Sequence, residues 1–237
     1  MLPKLQIAEF KTKLPSSGKD VYYRPFLVKE EKILLMALEG GDSEEIENAI
    51  ISILASCVRL DEEVINQLPY FDIEYLFLQL RSKSIDNIVR LTLKHKDGNE
   101  CKHVTDYELN LDDIKVNFLE DHSNRIMITD SVGVVMKYPS LASSSQMQEK
   151  LSSSNVDNIF MFLAENIDYV FDDSEVYENA TIEEKMTFIE GVSKQQFDKI
   201  MSFYHTMPQV EHTITYTCDA CSEEEEIFLK GLSSFFM

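Results

Sequence analysis

Cys218-Asp219-Ala220-Cys221 is the sharpest chemical signal in the chain. Two sulfurs three positions apart across a tight turn can point to one side, which is half of a tetrahedral zinc knuckle. A closed site needs two further ligands. Cys101-Lys102-His103 offers them, and His95 precedes it in the same predicted hairpin. Alternation along a strand puts Cys101 and His103 on one face, a spacing that suits two ligands of one ion only where the strand bends. Three readings stay open. The simplest is free cysteines at a hairpin tip. The second is a structural zinc held by Cys101, His103, Cys218 and Cys221. The third is a redox dithiol, although a thioredoxin-type pair opens a helix, and strand-like sequence flanks this one on both sides.

Other catalytic patterns are missing. The chain contains no H-E-x-x-H and no G-x-S-x-G, and its seven glycines never fall into a phosphate-cradling loop. His95, His103, His122, His205 and His212 sit at predicted element ends or in polar stretches. With 42 acidic residues, pairs such as Asp112-Asp113, Asp172-Asp173 and Glu183-Glu184 arise by number alone and read as solvated helix-start charges. No enzyme, no small-molecule substrate and no cofactor beyond a structural zinc is expected.

Charge narrows the partners. Twenty-two Lys and Arg against those 42 acids give a formal charge of −20. Such a field repels phosphates and gains nothing from counterion release, so nucleic acid is not an expected partner. It favours basic protein surfaces and keeps copies apart. Ile50 to Val58, the most apolar stretch, is far shorter than a bilayer span of about 20 residues. The opening Met1-Leu2-Pro3-Lys4 has no apolar core of a signal peptide. A protein that folds in a reducing compartment without membrane contact is expected.

The elements that must position the cysteines follow from periodicity. Leu5 to Phe10 and Val21-Tyr22-Tyr23 flank a turn at Pro15 to Asp20. Ile33, Leu34, Ala37 and Leu38 mark a helix stopped by Gly40-Gly41, and Ile46 to Cys57 a second. A short helix covers Glu62 to Leu68, and another runs from Phe71 to Arg81. Ile88 to Leu93 and His103 to Leu111 form a hairpin around Asp97-Gly98-Asn99. The second half repeats this order. Strands Arg125 to Met127 and Val132 to Tyr138 precede a serine-rich segment, Ser143 to Ser154. Helices follow at Val156 to Tyr169, Ile182 to Glu190 and Ser193 to His205, then a hairpin from Val210 to Leu229.

Four pairings in register order, Val21 to Leu27 with Val135 to Leu141 among them, suggest an internal duplication. The expected architecture is α+β with two similar lobes, each a strand pair, about three bundled helices and a β-hairpin. The lobes are read as residues 1–118 and 119–237, the second carrying the C-x-x-C hairpin and an apolar end.

That end, Phe235-Phe236-Met237, must fold back or dock on a partner. Tyr22, Tyr23, Arg24 and Phe26 pose the same choice, because aromatic residues and Arg dominate interfaces as well as cores.

Together these pieces carry a resemblance. Tyr23-Arg24-Pro25-Phe26-Leu27 running through the helix to Glu39 is one part. The Cys218 to Cys221 hairpin is the second, and Leu229-Lys230-Gly231-Leu232 with Phe235-Phe236 the third. The pattern resembles the baseplate hub subunit and hub assembly protein family of T-even-type contractile-tailed bacteriophages, over most of the chain. The resemblance implies a non-enzymatic protein that binds other hub and tail proteins in the infected cell's cytoplasm, as an assembly chaperone or as part of the virion baseplate. The competing expectation is a zinc-stabilised cytosolic adaptor unrelated to phage tails.

Overall fold

The computed structural model describes residues 6–95, 101–151 and 155–231. The turn expected at Asp97-Gly98-Asn99 and the apolar end Phe235-Phe236-Met237 lie outside them. The described residues form eight α-helices and several small antiparallel sheets, an α+β fold. They divide into two compact units, and the division is not at one point: residues 1–117 join 209–237, while 118–208 form the second unit. The expected split into 1–118 and 119–237 therefore differs at its C-terminal side. The physical reason is that the last hairpin pairs with a strand of the first unit, described below.

The first unit opens with β1 (Phe10–Lys13) paired to β2 (Asp20–Tyr23). Helix α1 (Val28–Gly40) ends where Gly41 adopts φ 70, the left-handed conformation that glycine tolerates without a Cβ clash. Asp42 then caps α2 (Ser43–Cys57), its carboxylate accepting the Glu44 and Glu45 N–H groups at 2.9 and 3.1 Å. After α2 the chain runs back along β2: Arg24 N–H reaches Cys57 O at 3.0 Å, and Arg59 N–H reaches Tyr22 O at 2.8 Å. Helix α3 (Glu62–Gln67) leads into α4 (Tyr70–Ser84).

α4 is the axis of this unit. Phe71, Ile73, Leu76, Phe77 and Leu80 are completely buried, and so is Asp72. Apolar residues on every side mean that α4 must be wrapped rather than laid on a surface. It packs on α2, on a 3-10 turn at Leu111–Asp113, on β5 (Lys115–Asn117) and on β10 (Gln209–Thr217). Its polar groups reach further. Tyr75 OH meets Thr12 Oγ1 at 3.0 Å, and Asp72 accepts both the N–H (3.0 Å) and the hydroxyl of Ser16 in the β1–β2 turn. The Ser84 hydroxyl accepts the Phe26 N–H at 2.9 Å.

β3 (Ile88–Lys94) and β4 (Val104–Asn110) form a separate hairpin in full register, Ile88 opposite Asn110 to Lys94 opposite Val104. β10 pairs on one side with β5, across Gln209 to Glu211, and on the other with β11 (Glu224–Lys230). This three-stranded sheet brings residues 209–231 into the first unit.

The second unit holds a four-stranded sheet ordered β6 (Arg125–Met127), β7 (Gly133–Met136), β8 (Ile167–Phe171) and β9 (Val176–Tyr177). Its helices are α5 (Leu141–Leu151), α6 (Val156–Asn166), α7 (Ile182–Glu190) and α8 (Lys194–Thr206). Two readings of the sequence change here. The serine-rich segment is helical as far as Leu151, within α5. The helix expected to reach Tyr169 stops at Asn166, whose amide donates to Phe162 O at 2.7 Å, and the β-prone Ile167-Asp168-Tyr169-Val170-Phe171 continues as β8. Strands β8 and β9 have no counterpart between the helices of the first half, and the spatial units do not follow the two sequence halves.

Gly133 and Arg125 bracket the Phe171 ring. A Cβ on Gly133 would lie 2.2 Å from Phe171 Cζ, and the Arg125 guanidinium stacks 3.7 Å from the ring centroid. Gly133→Ala is expected to cost about 1–3 kcal/mol through overpacking, read as a lower urea midpoint.

The Tyr22-to-Phe26 segment is held from inside. Tyr23 and Phe26 are 2% and 5% exposed, whereas Tyr22 is 44% exposed. Arg24 donates to Pro25 O at 2.9 Å, Ser56 O at 2.8 Å and the buried Glu30 carboxylate at 2.9 Å. Burial alone would raise the Glu30 pKa. The Arg24 hydrogen bond, the Leu27 N–H at 2.9 Å and Lys29 outweigh it and hold the carboxyl below its ordinary value of 4.5. The stability from this pair is therefore present above pH 4.5 and lost as pH falls through the depressed value. Arg24→Ala should destabilise the protein by about 2 kcal/mol at pH 7, and Glu30→Gln should remove this pair's share of the acid loss, both read by urea unfolding across pH.

Candidate functional site

Strand parity builds the site. Val89, Leu91 and Leu93 of β3 are buried while Arg90, Thr92 and Lys94 are exposed, so the next residue, His95, points inward. On β10, Val210, Ile214 and Tyr216 are buried, and the same alternation carries Cys218 inward just past the strand end. On β11, Glu225 sits opposite Tyr216 and shares the inner face with Leu229.

These parities converge at one point. A ring nitrogen of His95 and the sulfurs of Cys101, Cys218 and Cys221 are all within 4.8 Å of one another. Cys101 and Cys218 sulfurs are 3.9 Å apart, and Cys221 Sγ is 3.4 Å from His95 Nε2. The His95 ring is only 3% exposed, and its Nδ1 is paired with the Glu225 carboxylate. Cys218 is buried, Cys101 half-buried and Cys221 exposed, and none of the three is in a disulfide. Cys57 is a fourth free cysteine, buried at the end of α2.

The C-x-x-C turn is closed by its own backbone. Cys218 N–H bonds Glu223 O at 2.9 Å, and Ser222 N–H bonds Cys218 O at 2.8 Å. Ser222 takes φ 59, the described chain's positive φ outside glycine. In this turn the Cys221 and Ala220 N–H groups face Cys218 Sγ.

Electrostatics follow from that geometry. The Cys221 N–H is the largest influence on Cys218; with the Ala220 N–H and His95 it outweighs desolvation and brings the thiol down to about 6. The Glu225 hydrogen bond, then that of Cys218, raise the His95 pKa to about 9. The Glu223 N–H favours a Cys221 thiolate, but desolvation and the Cys218 and Cys101 sulfurs outweigh it, and this thiol is pushed up. The Tyr216 phenol is pushed up by desolvation and by Glu225 and the cysteines, and its hydroxyl is buried with no hydrogen-bond partner among the described residues.

Of the residues singled out from sequence, the structure brings Cys101, Cys218 and Cys221 together and leaves His103 exposed outside the cluster. The β3–β4 ladder ends at Lys94 and Val104, so strand alternation no longer fixes His103. His95 takes its place. The signal for it was available in the alternation of Val89, Leu91 and Leu93.

A cavity of about 600 Å³ in the second unit is another concave candidate. Phe171, Asp172, Tyr177, Glu184 and Lys185 line it, and its walls include no Ser, Thr, Cys or His. Asp172 is tied down by the Ser174 hydroxyl and N–H, the Glu175 N–H and Tyr177 OH, which hold its carboxyl at about 2. Lys185 donates to the carbonyls of Ile167 and Asp168 at 2.9 and 3.4 Å. Both polar groups are committed to the fold.

A family model described as T4 bacteriophage base plate protein matches residues 7–237. The chain belongs to that family. No match was found among the curated proteins or among the solved structures. For this base plate protein, the expectation of an adaptor unrelated to phage tails is set aside by the extent of the match, which runs through both units. A baseplate role, in contact with other baseplate proteins, follows from the family. Among the described residues no helix is long and apolar enough to cross a membrane.

Ser222→Gly should raise stability by about 1 kcal/mol, since only the β-carbon penalty of the left-handed conformation is relieved. A higher urea midpoint with unchanged slope would register it.

Proposed function

We propose that this base plate protein is a hub subunit or hub assembly factor that works by binding other tail proteins, with no reaction of its own. It acts in the infected cell's cytoplasm while the baseplate is built, and joins the virion baseplate if it is retained. The observation that carries the reading is the family match over residues 7–237.

Surface chemistry supports it. Helix α1 buries Glu30, Leu34 and Ala37 on one face, yet Val28 is 79% exposed and Leu35 and Met36 are exposed too. At 100° per residue, Val28, Leu35 and Met36 lie on the side away from the buried stripe, interleaved with exposed Lys32 and Glu39, so that side offers apolar anchors among charges. Exposed Tyr22 belongs to the same unit and suits an interface edge. The formal charge of −20 directs such a surface to basic partners and opposes self-association. Tyr23, Arg24 and Phe26 serve the core in this reading, and the docking surface consists of α1, Tyr22 and the terminal Phe235-Phe236-Met237.

Co-expression with the proteins encoded beside it should yield a defined complex on size-exclusion chromatography with light scattering. Leu35→Glu with Met36→Glu, or deletion of residues 235–237, should weaken it by at least about tenfold, as loss of a buried apolar anchor does. Failure to retain any tail protein would contradict the proposal.

A further inference from the structure

We propose that His95, Cys101, Cys218 and Cys221 bind one structural zinc ion that ties the β3–β4 hairpin to the β10–β11 hairpin. The distances fit a single ion. Zn–S bonds of about 2.3 Å and a Zn–N bond of about 2.0–2.1 Å at the tetrahedral angle put two sulfurs about 3.8 Å apart, and a sulfur about 3.6 Å from the nitrogen. The observed separations are 3.9 Å for Cys101 to Cys218 and 3.4 Å for Cys221 to His95. A disulfide would need about 2.05 Å.

The donor set selects the metal. Three thiolates and one imidazole are soft and borderline ligands in a four-donor shell, which suits zinc and not magnesium or calcium. All four donors come from the protein, leaving no open position for a substrate, so the ion is structural. Thiol protons leave to solvent as each Zn–S bond forms, with no change of oxidation state.

The surroundings are built for it. Glu225 holds His95 Nδ1, which leaves Nε2 as the ligand atom and fixes the ring plane, as a carboxylate behind a metal-bound histidine does. The Cys221 and Ala220 N–H groups face Cys218 Sγ and stabilise a coordinated thiolate. The ion would close a link between residues 117 positions apart in sequence, from Cys101 to Cys218, spanning the whole second unit. Loop closure of that length is where a cross-link restricts the unfolded chain most.

The test uses the full chain and does not depend on any tail partner. Purified without chelator, it should carry about one zinc per chain by mass spectrometry of the metal. Stripped and titrated with Co²⁺, the unaltered protein should show thiolate-to-cobalt charge transfer and the intense visible bands of a tetrahedral site, both displaced by Zn²⁺. Zinc affinity should fall at least about tenfold in His95→Ala and in Glu225→Gln, stay unchanged in His103→Ala, and persist in His95→Cys. Less than half a zinc per chain with zinc supplied, or a weak octahedral cobalt spectrum, would overturn the proposal. So would loss of zinc from His103→Ala with retention in His95→Ala.

Discussion

None of the fifteen residues of α4 is exposed, and that constraint organises the first unit. A helix with Phe71, Ile73, Leu76, Phe77 and Leu80 fully buried cannot be finished by the helices beside it alone. Part of its cover comes from β10, which the chain supplies only after the whole second unit. Burial of large apolar side chains, at roughly 1.5–3 kcal/mol each, is what draws that distant hairpin back. Asp72 and Tyr75 bind the β1–β2 hairpin to the same helix, and Ser84 binds Phe26 in the segment that leads into α1.

The His95–cysteine cluster is a consequence of this return. Once β10 lies on α4 and pairs with β5, its inward parity continues to Cys218, while the inward parity of β3 continues to His95. Neither hairpin tip carries a complete site, and each contributes two donors. A zinc-type site of this kind would add a short-range clamp at the hairpin ends, away from the apolar axis. The base plate family and the exposed Val28, Leu35 and Met36 of α1 concern what the surface does, and they stand whether or not an ion is held.

Local patterns were legible where one residue type dominates the choice. Gly41 ends α1 because its backbone needs φ 70, and Thr181 starts α7 by accepting the Glu184 N–H at 3.2 Å. The boundary at Asn166 was hidden because Ile167, Val170 and Phe171 continue an apolar pattern that fits a helix or a strand equally. The serines of α5 read as a polar connector, since their helical propensity is set by context. Cys101, Cys218 and Cys221 were visible as candidate ligands from their spacing, but spacing alone did not choose the histidine. His103 sits two positions from Cys101 and drew attention by proximity, whereas His95 is identified only by the in-out alternation of β3. Least legible was the division into units, because the pairing of β5 with β10 joins segments that no local pattern connects.

The central physical claim is that residues 209–231 fold as part of the first unit. Native-state hydrogen exchange on the full chain tests it most directly. The account predicts that the amides of β10 open together with those of α4 and β5, at one shared free energy. Exchange of β10 in step with α6 and β8 instead, independent of α4, would contradict it.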